Sequence, residues 1–344
     1  MNITAEKYCQ NRAMIRIAID AMGGDFGPEP IIEGVIQALD EKDFLPILVG
    51  DREQILQHLP QYYLEQVEIV ESSDVIAMSD KATQALKRKD SSIFKAVELV
   101  RNKEADAVVS AGHSGATMTL ATLRMGRLPH ISKPALATIM PSISKISNTL
   151  LLDVGAVTDC TPKNLYEFAI MGEVYAQKLL KIRTPSIGLL ANGEEDSKGN
   201  ALTKEAFKLM KSISGFKGNV EGSDIFNSTV DVVVCDGYTG NITLKASEGV
   251  AATILDLMKI QIRKSIPAKI GALLMKKKVF TQLKKKMDYA EYGGAPLLGV
   301  NGCAIISHGK SNAKAIKNAI FQAIAYKDSG VNSAIEKLLT KNNA

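Results

Sequence analysis

The fold is decided by the stretch IRIAIDAMGGDFGPEP at residues 15–30. Its first part is an apolar run typical of a β-strand, and this run ends in Asp20. A loop with Gly23, Gly24 and Asp25 follows, and two prolines then precede a helix-like segment. A strand that ends in a glycine-rich turn at a helix start exposes backbone N–H groups to anions in α/β proteins. One such turn most often only reverses the chain, so its recurrence matters.

The same strand, turn and helix pattern recurs along the chain. Continuous apolar runs stand at residues 44–50, 105–112, 135–142, 148–156, 186–193 and 230–237. Because these runs are continuous rather than alternating, they indicate strands buried on both faces of a largely parallel sheet. We therefore predict an α/β fold with three αβα layers, organised as one two-lobed domain over residues 14–344. Ligands of such folds bind at the carboxyl ends of the strands.

The composition is that of an ordinary globular protein, with 344 residues, 46% of them hydrophobic and 23% charged. The four cysteines (Cys9, Cys160, Cys235 and Cys303) are far apart and form no CxxC pair. This usage favours reduced thiols in a cytosolic protein over a disulfide framework or a zinc site. No apolar run approaches the ~20 residues that span a membrane. Residues 1–13 lack the apolar core of a signal peptide and are expected to form a disordered leader.

Five loops at strand–helix junctions combine glycine with hydroxyl, amide or charged side chains. They are DAMGGD (20–25), GHSGAT (112–117), NGEEDSKGN (192–200), DGYTGN (236–241) and SHGKSN (307–312). Glycine lets the backbone approach an anion, while Ser, Thr and Asn add hydrogen bonds. None of the loops contains a Walker A or GxGxxG motif. The candidate phosphate contacts in them are Asp20, Gly23, Gly24, Asp25, Gly112, Ser114, Gly115, Lys198, Asp236, Thr239 and Gly240.

Several residues in these loops have two interpretations. His113 and Ser114 are adjacent, which rarely permits a base–nucleophile hydrogen bond, and no GxSxG motif is present, so an anion-binding loop is favoured over a covalent serine. His308 is a candidate catalytic group or a capping histidine. Lys245 follows Asn241 by one helical turn, where it either points at a bound phosphate or is solvated. At least one of the acids that end strands is expected to cap a helix.

A basic segment at residues 259–286 contains ten Lys and Arg and no acid. In a helix over 272–287 the apolar side chains fall on one broad face, with most of the lysines opposite. This pattern fits an interfacial helix on an anionic membrane, a docking site for an acidic protein, or a surface helix packed on the core or a dimer partner. No stacking aromatic residues accompany it, so nucleic acid is not expected. The candidate contact residues are Leu274, Lys276, Lys277, Lys278, Val279, Phe280, Lys284 and Lys285.

Longer segments give a more specific indication. VVSAGHSGATM, LLANGEEDSKGN, DVVVCDGYTGNITLKASEG and EYGGAPLLGVNGCAIISHGKSNAKAI resemble the phosphate acyltransferase (PlsX) family, and the matches run in order from about residue 14 to 327. The resemblance implies a fold like that of phosphotransacetylases and isopropylmalate dehydrogenase. It also implies transfer of a long-chain acyl group from acyl carrier protein to inorganic phosphate. The product, acyl-phosphate, would serve a membrane glycerol-3-phosphate acyltransferase in phospholipid synthesis.

The resemblance further implies a cytoplasmic homodimer, peripherally associated with the membrane, that uses no metal or nicotinamide cofactor. For this reaction we expect GHSGAT and DGYTGN to hold phosphate and the developing oxyanion. Lys245 and Asn241, with Lys198, are expected to act on the anion, and Asp20 or Asp236 is expected to orient the loops. His308 is the candidate proton donor to the leaving thiolate. His113 and Ser114 stand where members of the family often have Asn-Thr or Ser-Thr, which argues against a catalytic His113.

Rival interpretations are a phosphotransacetylase that uses short-chain acyl-CoA, a decarboxylating dehydrogenase on the related fold, and a membrane-surface scaffold. The basic amphipathic segment disfavours the first, since a small soluble product has no need of a membrane. The second lacks an acid cluster with metal-ligand spacing. The third leaves the glycine-rich loops without a role.

Overall fold

The structure is a computed structural model that describes residues 14–143, 148–282 and 289–343. The strands are β1 (Arg16–Asp20), β2 (Leu45–Gly50), β3 (Glu68–Glu71), β4 (Ala107–Ser110), β5 (Ala135–Met140), β6 (Thr149–Leu152), β7 (Ile187–Leu190), β8 (Phe216–Val220), β9 (Val232–Val234), β10 (Ala295–Leu298) and β11 (Cys303–Ile306). The expected leader and the candidates Lys284 and Lys285 lie outside the described residues.

Helices connect most of the strands. They are α1 (Glu29–Leu39), α2 (Arg52–His58), α3 (Ser92–Arg101), α4 (Ser114–Leu120), α5 (Pro162–Lys178), α6 (Ala201–Met210), α7 (Asp224–Asn227), α8 (Gly237–Arg263), α9 (Ile266–Met275), α10 (Ala313–Ser329) and α11 (Val331–Asn343). A π-helical turn at Ala121–Met125 follows α4, and another at Lys276–Phe280 follows α9. At the start of α5, Thr161 and Asn164 form a capping box, and Pro162 stands at the first helical position.

The strands form one sheet in the order β3-β2-β1-β4-β11-β10-β5-β6-β9-β7-β8. Among the described residues, seven of its ten strand pairs are parallel, and the three antiparallel pairs all involve β10 or β5. Helices cover both faces, so the three-layer, largely parallel α/β prediction is confirmed.

Burial on both faces can be followed along β1. Ile17 and Ile19 belong to the core cluster that also holds Phe168 of α5. Ala18, between them, belongs to a second cluster with Val97 of α3 on the opposite face. This alternation of partners explains why the strand sequences are continuously apolar.

The three antiparallel pairs reverse the sheet. The chain direction changes from β11 to β10, from β10 to β5 and again from β5 to β6. An odd number of reversals means that β6, β9 and β7 run opposite to β1, β4 and β11. The carboxyl ends of these two groups of strands therefore point in opposite directions along the strand axis. The loops that follow them lie on the two opposite sides of the sheet, which we call its two ends.

Candidate active site

Three of the glycine-rich loops lie side by side. DAMGGD, GHSGAT and SHGKSN follow β1, β4 and β11, which are neighbouring parallel strands. We call these residues (20–25, 112–117 and 307–312) the first loop cluster. The amide of Asp25 donates to the carbonyl oxygen of Gly309 at 2.8 Å, which joins the first loop to the third.

Glycine is required where the first two loops meet. A Cβ atom on Gly23 would lie 2.6 Å from Oδ2 of Asp20 and 2.7 Å from the amide nitrogen of Gly112. Gly24 has a φ of +109°, a conformation that L-residues with a side chain rarely adopt. The close approach thus depends on the absence of a side chain at these positions.

Asp20 lies beneath the first loop cluster. Its side chain is buried, and Ser110 Oγ donates to its Oδ2 at 2.7 Å, while the amide of Gly112 donates to Ser110 Oγ at 3.1 Å. Burial raises the pKa of Asp20, and the hydrogen bond from Ser110 opposes the rise. The geometry makes Asp20 a brace between the first two loops rather than a group at their surface.

His113 caps the helix that follows GHSGAT. Its Nδ1 accepts from the amide of Ala116 at 3.1 Å, and its Nε2 lies 2.9 Å from the carbonyl oxygen of Asp80. In the neutral ring, these partners assign the proton to Nε2, which donates to Asp80. Both ring nitrogens are engaged, and within the described ranges neither contacts Ser114. The side chain of Ser114 is exposed, and the amides of Ser114 and Gly115 have no partner in the described part of the chain.

His308 occupies the third loop of the first loop cluster. Its side chain is exposed, and its Nδ1 accepts from the amide of Lys310 at 3.0 Å. The helix cap here is Asn312, whose Oδ1 accepts from the amide of Ala315 at 3.0 Å. His308 therefore orders the turn, and its neutral form carries the ring proton on Nε2.

The remaining loops form a second cluster at the other end of the sheet. We call DVGA (153–156), NGEEDSKGN (192–200) and DGYTGN (236–241) the second loop cluster; they follow β6, β7 and β9. Asp153 is buried there and accepts from the amides of Leu136, Gly155, Ala156 and Val157. Burial raises its pKa to about 6 against these four donors.

DGYTGN uses its own polar groups internally. Asp236 is the N-cap of α8: Oδ1 accepts from the amide of Thr239 at 2.9 Å, and Oδ2 accepts from its hydroxyl at 2.7 Å. The amide of Gly237 donates to Val157 and that of Gly240 to Asp236. The expectation that a strand-end acid caps a helix is confirmed. The amides of Gly237, Thr239 and Gly240 and the hydroxyl of Thr239, which were expected to face an anion, all have partners within the protein.

The structure thus separates the sequence-predicted residues. Asp20, Gly23, Gly24, Asp25, Gly112, Ser114, Gly115 and His308 lie in the first loop cluster, whereas Lys198, Asp236, Thr239, Gly240 and Asn241 lie in the second. The Cγ of Asn241 is 3.7 Å from where a Cβ on Gly155 would stand. Lys245 is exposed on α8, and Lys198 Nζ lies 3.9 Å from Glu195 Oε1.

Sequence reasoning missed the segment between β3 and α3, which lies against the first loop cluster. Its Asp80 contacts His113, and Met78 Cε lies 2.7 Å from where a Cβ on Gly309 would stand. The local signal was the charge pattern of KRKD at 87–90, which by itself is typical of a solvated turn.

The basic segment forms part of an exposed helical hairpin. It begins in the last turns of α8, and α9 packs back against that helix. An apolar groove of about 440 Å³ runs between the two helices. The side chains of Leu273 and Leu274 are 71% and 78% exposed. Within the described ranges, no helix combines the length and hydropathy needed to cross a bilayer.

Comparison with known proteins adds to this geometry. A family model described as "Fatty acid synthesis protein" matches residues 15–334. A protein of Sulfurovum sp. (strain NBC37-1) named "Phosphate acyltransferase" is 76% identical over 95% of this chain and 99% of its own length. The chain belongs to the phosphate acyltransferase family. Relatives of the same name in Sulfurimonas denitrificans and Campylobacter concisus are 63% and 62% identical, over 96% and 95% of this chain and 99% of each relative. The family assignment makes this chain an acyltransferase and confirms the resemblance seen in the motifs.

Solved structures support the fold of this phosphate acyltransferase family member. A phosphotransacetylase from Streptococcus pyogenes superposes with a TM-score of 0.62 at 17% identity, covering 92% of this chain and 94% of that one. A branched-chain phosphotransacylase from Enterococcus faecalis V583 gives 0.58 at 16% identity, covering 92% and 100%. The expected phosphotransacetylase-like fold is confirmed.

Proposed function

We propose that this acyltransferase moves a long-chain fatty acyl group from acyl carrier protein to inorganic phosphate. Its product, acyl-phosphate, is then used by a membrane glycerol-3-phosphate acyltransferase to make phosphatidic acid. The observation that carries the proposal is the first loop cluster, where three glycine-rich loops meet in a chain of the phosphate acyltransferase family.

Phosphate is assigned to the first loop cluster. The amides of Ser114 and Gly115, which have no partner among the described residues, and the exposed hydroxyl of Ser114 are donors of the kind that phosphate oxygens accept. Asp20 holds these loops together from below. Lys310 in the third loop of the cluster and Lys81 beside the cluster are exposed and supply positive charge.

The chemistry needs no covalent enzyme intermediate. A phosphate oxygen attacks the thioester carbonyl, and the resulting oxyanion accepts hydrogen bonds from the loop amides. The C–S bond then breaks, and the thiolate of the carrier takes a proton. His308 is the proposed donor of that proton: its exposed ring gives the Nε2 proton from the imidazolium form, because a neutral imidazole is too weak an acid to protonate a thiolate.

The helical hairpin is proposed to contact two anionic partners. Acyl carrier protein is acidic, and Lys276, Lys277 and Lys278 provide a basic surface that would steer it. The exposed apolar side chains around Leu274 would insert into the headgroup region of an anionic membrane. A homodimer that docks there peripherally would release its amphiphilic product next to the bilayer.

The test is to incubate the purified protein with palmitoyl-ACP, with and without inorganic phosphate, and to follow free carrier and acyl-phosphate. Phosphate-dependent, reversible acyl-phosphate formation is expected. Turnover with acetyl- or butyryl-CoA but not with acyl-ACP would instead assign a phosphotransacetylase activity. No turnover with either donor, in folded protein that binds vesicles, would favour a membrane-surface scaffold.

A further inference from the structure

A strap of residues 74–88 crosses the first loop cluster. It connects β3 to α3 and contains a 3-10 helix at Ala82–Leu86. Met78 packs over Gly309, and the Cβ of Ala82 is 3.2 Å from where a Cβ on Gly115 would stand. The strap therefore touches both loops to which the proposed function assigns phosphate and proton transfer.

Arg88, at the end of the strap, holds the strap together by hydrogen bonds to residues near its start and middle. Its guanidinium donates to Asp74 through Nε at 2.7 Å and through Nη2, to Asp80 Oδ2 through Nη1 at 2.6 Å, and to the carbonyl of Val75 at 2.9 Å. The same carboxylates accept from the strap amides of Val75 and Ala77. One planar side chain thus closes the strap through two acids, a geometry that a lysine would reproduce only in part.

His113 connects the closed strap to the loop GHSGAT. Its ring bridges the carbonyl of Asp80 on one side and the amide of Ala116 in the first turn of α4 on the other. The position of Asp80 is set by Arg88. A continuous chain of hydrogen bonds therefore runs from Arg88 through Asp80 and His113 to the helix turn that contains the amides of Ser114 and Gly115.

We propose that Arg88 is a positioning residue of the phosphate site, acting through the strap and His113 on the first turn of α4. This inference rests on the proposed function. Arg88 acts through its bonds within the strap, and the strap holds the amides that hydrogen-bond to phosphate. Preorganised donors lose their advantage when the segment that holds them moves by as little as an ångström.

The role differs from general stabilisation. The side chains of Arg88, Asp74 and Asp80 are 33%, 31% and 24% exposed, and partly exposed ion pairs contribute little to global stability. Loss of Arg88 should therefore loosen the strap without unfolding the protein, and the effect should fall on phosphate binding.

The test compares Arg88→Met, Arg88→Lys and His113→Asn. Asparagine is a good N-cap, but its side chain is too short to bridge to Asp80. We expect Arg88→Met to raise the KM for phosphate about tenfold with kcat changed less than about threefold. Arg88→Lys should recover part of the loss, and His113→Asn should raise the KM about threefold. Hydrogen exchange at Val75 and Ala77 should speed up in Arg88→Met.

Arg124→Met is the matched control. Arg124 is also 33% exposed and forms two hydrogen bonds of 2.8 Å to Glu98, away from the strap. The Arg124→Met variant should leave the KM for phosphate and the hydrogen exchange of the strap amides unchanged. An equal KM rise in Arg124→Met, or an unchanged KM in Arg88→Met with a loosened strap, would overturn the proposal. Wild-type protein without phosphate-dependent turnover would instead refute the proposed function.

Discussion

At the scale of single residues, the first loop cluster depends on two glycines that face each other over one buried acid. Gly23 and Gly112 were predictable as loop residues because each follows an apolar run. Their contact was not predictable, since it requires β1 and β4 to be neighbours. The sequence suggested two roles for Asp20, a phosphate contact and the orientation of the loops, and its burial and its hydrogen bond from Ser110 favour the second.

Gly23→Ala should impair the site. The new Cβ would stand 2.6 Å from Asp20 Oδ2 and 2.7 Å from the backbone of Gly112, so one of the two loops must move. We expect kcat/KM for phosphate to fall at least about tenfold. The free energy of unfolding should decrease by about 1–3 kcal/mol. The assay is steady-state kinetics together with urea denaturation.

Gly222→Ala is its control, because a Cβ there would meet no atom within 4 Å. This variant should change neither kcat/KM for phosphate nor the free energy of unfolding. Wild-type kinetics in Gly23→Ala would show that the loop contact does not matter for turnover.

Asp153 should make stability depend on pH. Burial raises its pKa from 3.8 to about 6, so between these values the folded chain binds more protons than the unfolded chain. The contribution of this group to the free energy of unfolding therefore falls as pH rises from about 4 to about 6, and it is constant above. Asparagine cannot ionise, so Asp153→Asn removes this dependence.

The difference in unfolding free energy, wild type minus Asp153→Asn, should drop by about 2 kcal/mol between pH 4 and pH 7. Denaturant titrations of both proteins at several pH values measure it. Parallel stability curves would mean that the four amides around Asp153 keep its pKa near the ordinary value.

At the scale of elements, apolar continuity located most strands but not all. β8 reads FKGNV; besides its glycine, Phe216 is half-buried and Lys217 is exposed, so the strand carries no apolar run. β10 has only four residues, APLL, directly after two glycines. Both are strands because of the neighbours they pair with. The helix after DGYTGN was expected, but its 27-residue length was not, since most of α8 lacks a buried face.

The α8–α9 hairpin should bind anionic vesicles through the exposed apolar side chains near the C-terminal end of α9. Leu274→Glu places a charge on a side chain that is 78% exposed, where insertion into a headgroup layer would desolvate it. We expect at least about a tenfold loss of binding to phosphatidylglycerol vesicles in sedimentation, with turnover in solution largely retained.

Leu123→Glu is the matched control, because Leu123 is also apolar and 62% exposed but lies in the π-helical turn after α4. Its vesicle binding should equal that of wild type. Undiminished binding by Leu274→Glu would contradict the assignment of this hairpin to the membrane.

At the scale of the whole molecule, the sheet reverses direction at its centre. The sequence predicted the class of fold and five candidate loops, yet it contains no signal for which strands are neighbours. Three antiparallel pairs around β10 and β5 place DGYTGN at the opposite end of the sheet from GHSGAT. For this reason, a site predicted only from the glycine-rich motifs combines residues that lie at opposite ends of the sheet in a single chain.

Lys245→Ala tests this separation. Lys245 lies beyond the second loop cluster on α8 and is exposed, so the variant should keep the phosphate KM and kcat within about twofold of wild type. Ser114→Ala should raise the phosphate KM several-fold. A tenfold effect of Lys245→Ala would instead bring the second loop cluster into the phosphate site, for example from another copy of the chain.

The strands that join the two halves of the sheet come late in the chain. β10 and β11, at residues 295–306, lie between β4 and β5. During translation, β4 and β5 therefore emerge with an unpaired edge each, and these edges wait for about 190 and about 155 further residues, from 110 to 303 and from 140 to 295. Open edges of this kind are templates for wrong pairing. While residues 141–294 are made, the nascent chain has strands of both half-sheets but not the strands that join them. Its safe folding relies on keeping those edges apart until its C-terminal strands leave the ribosome.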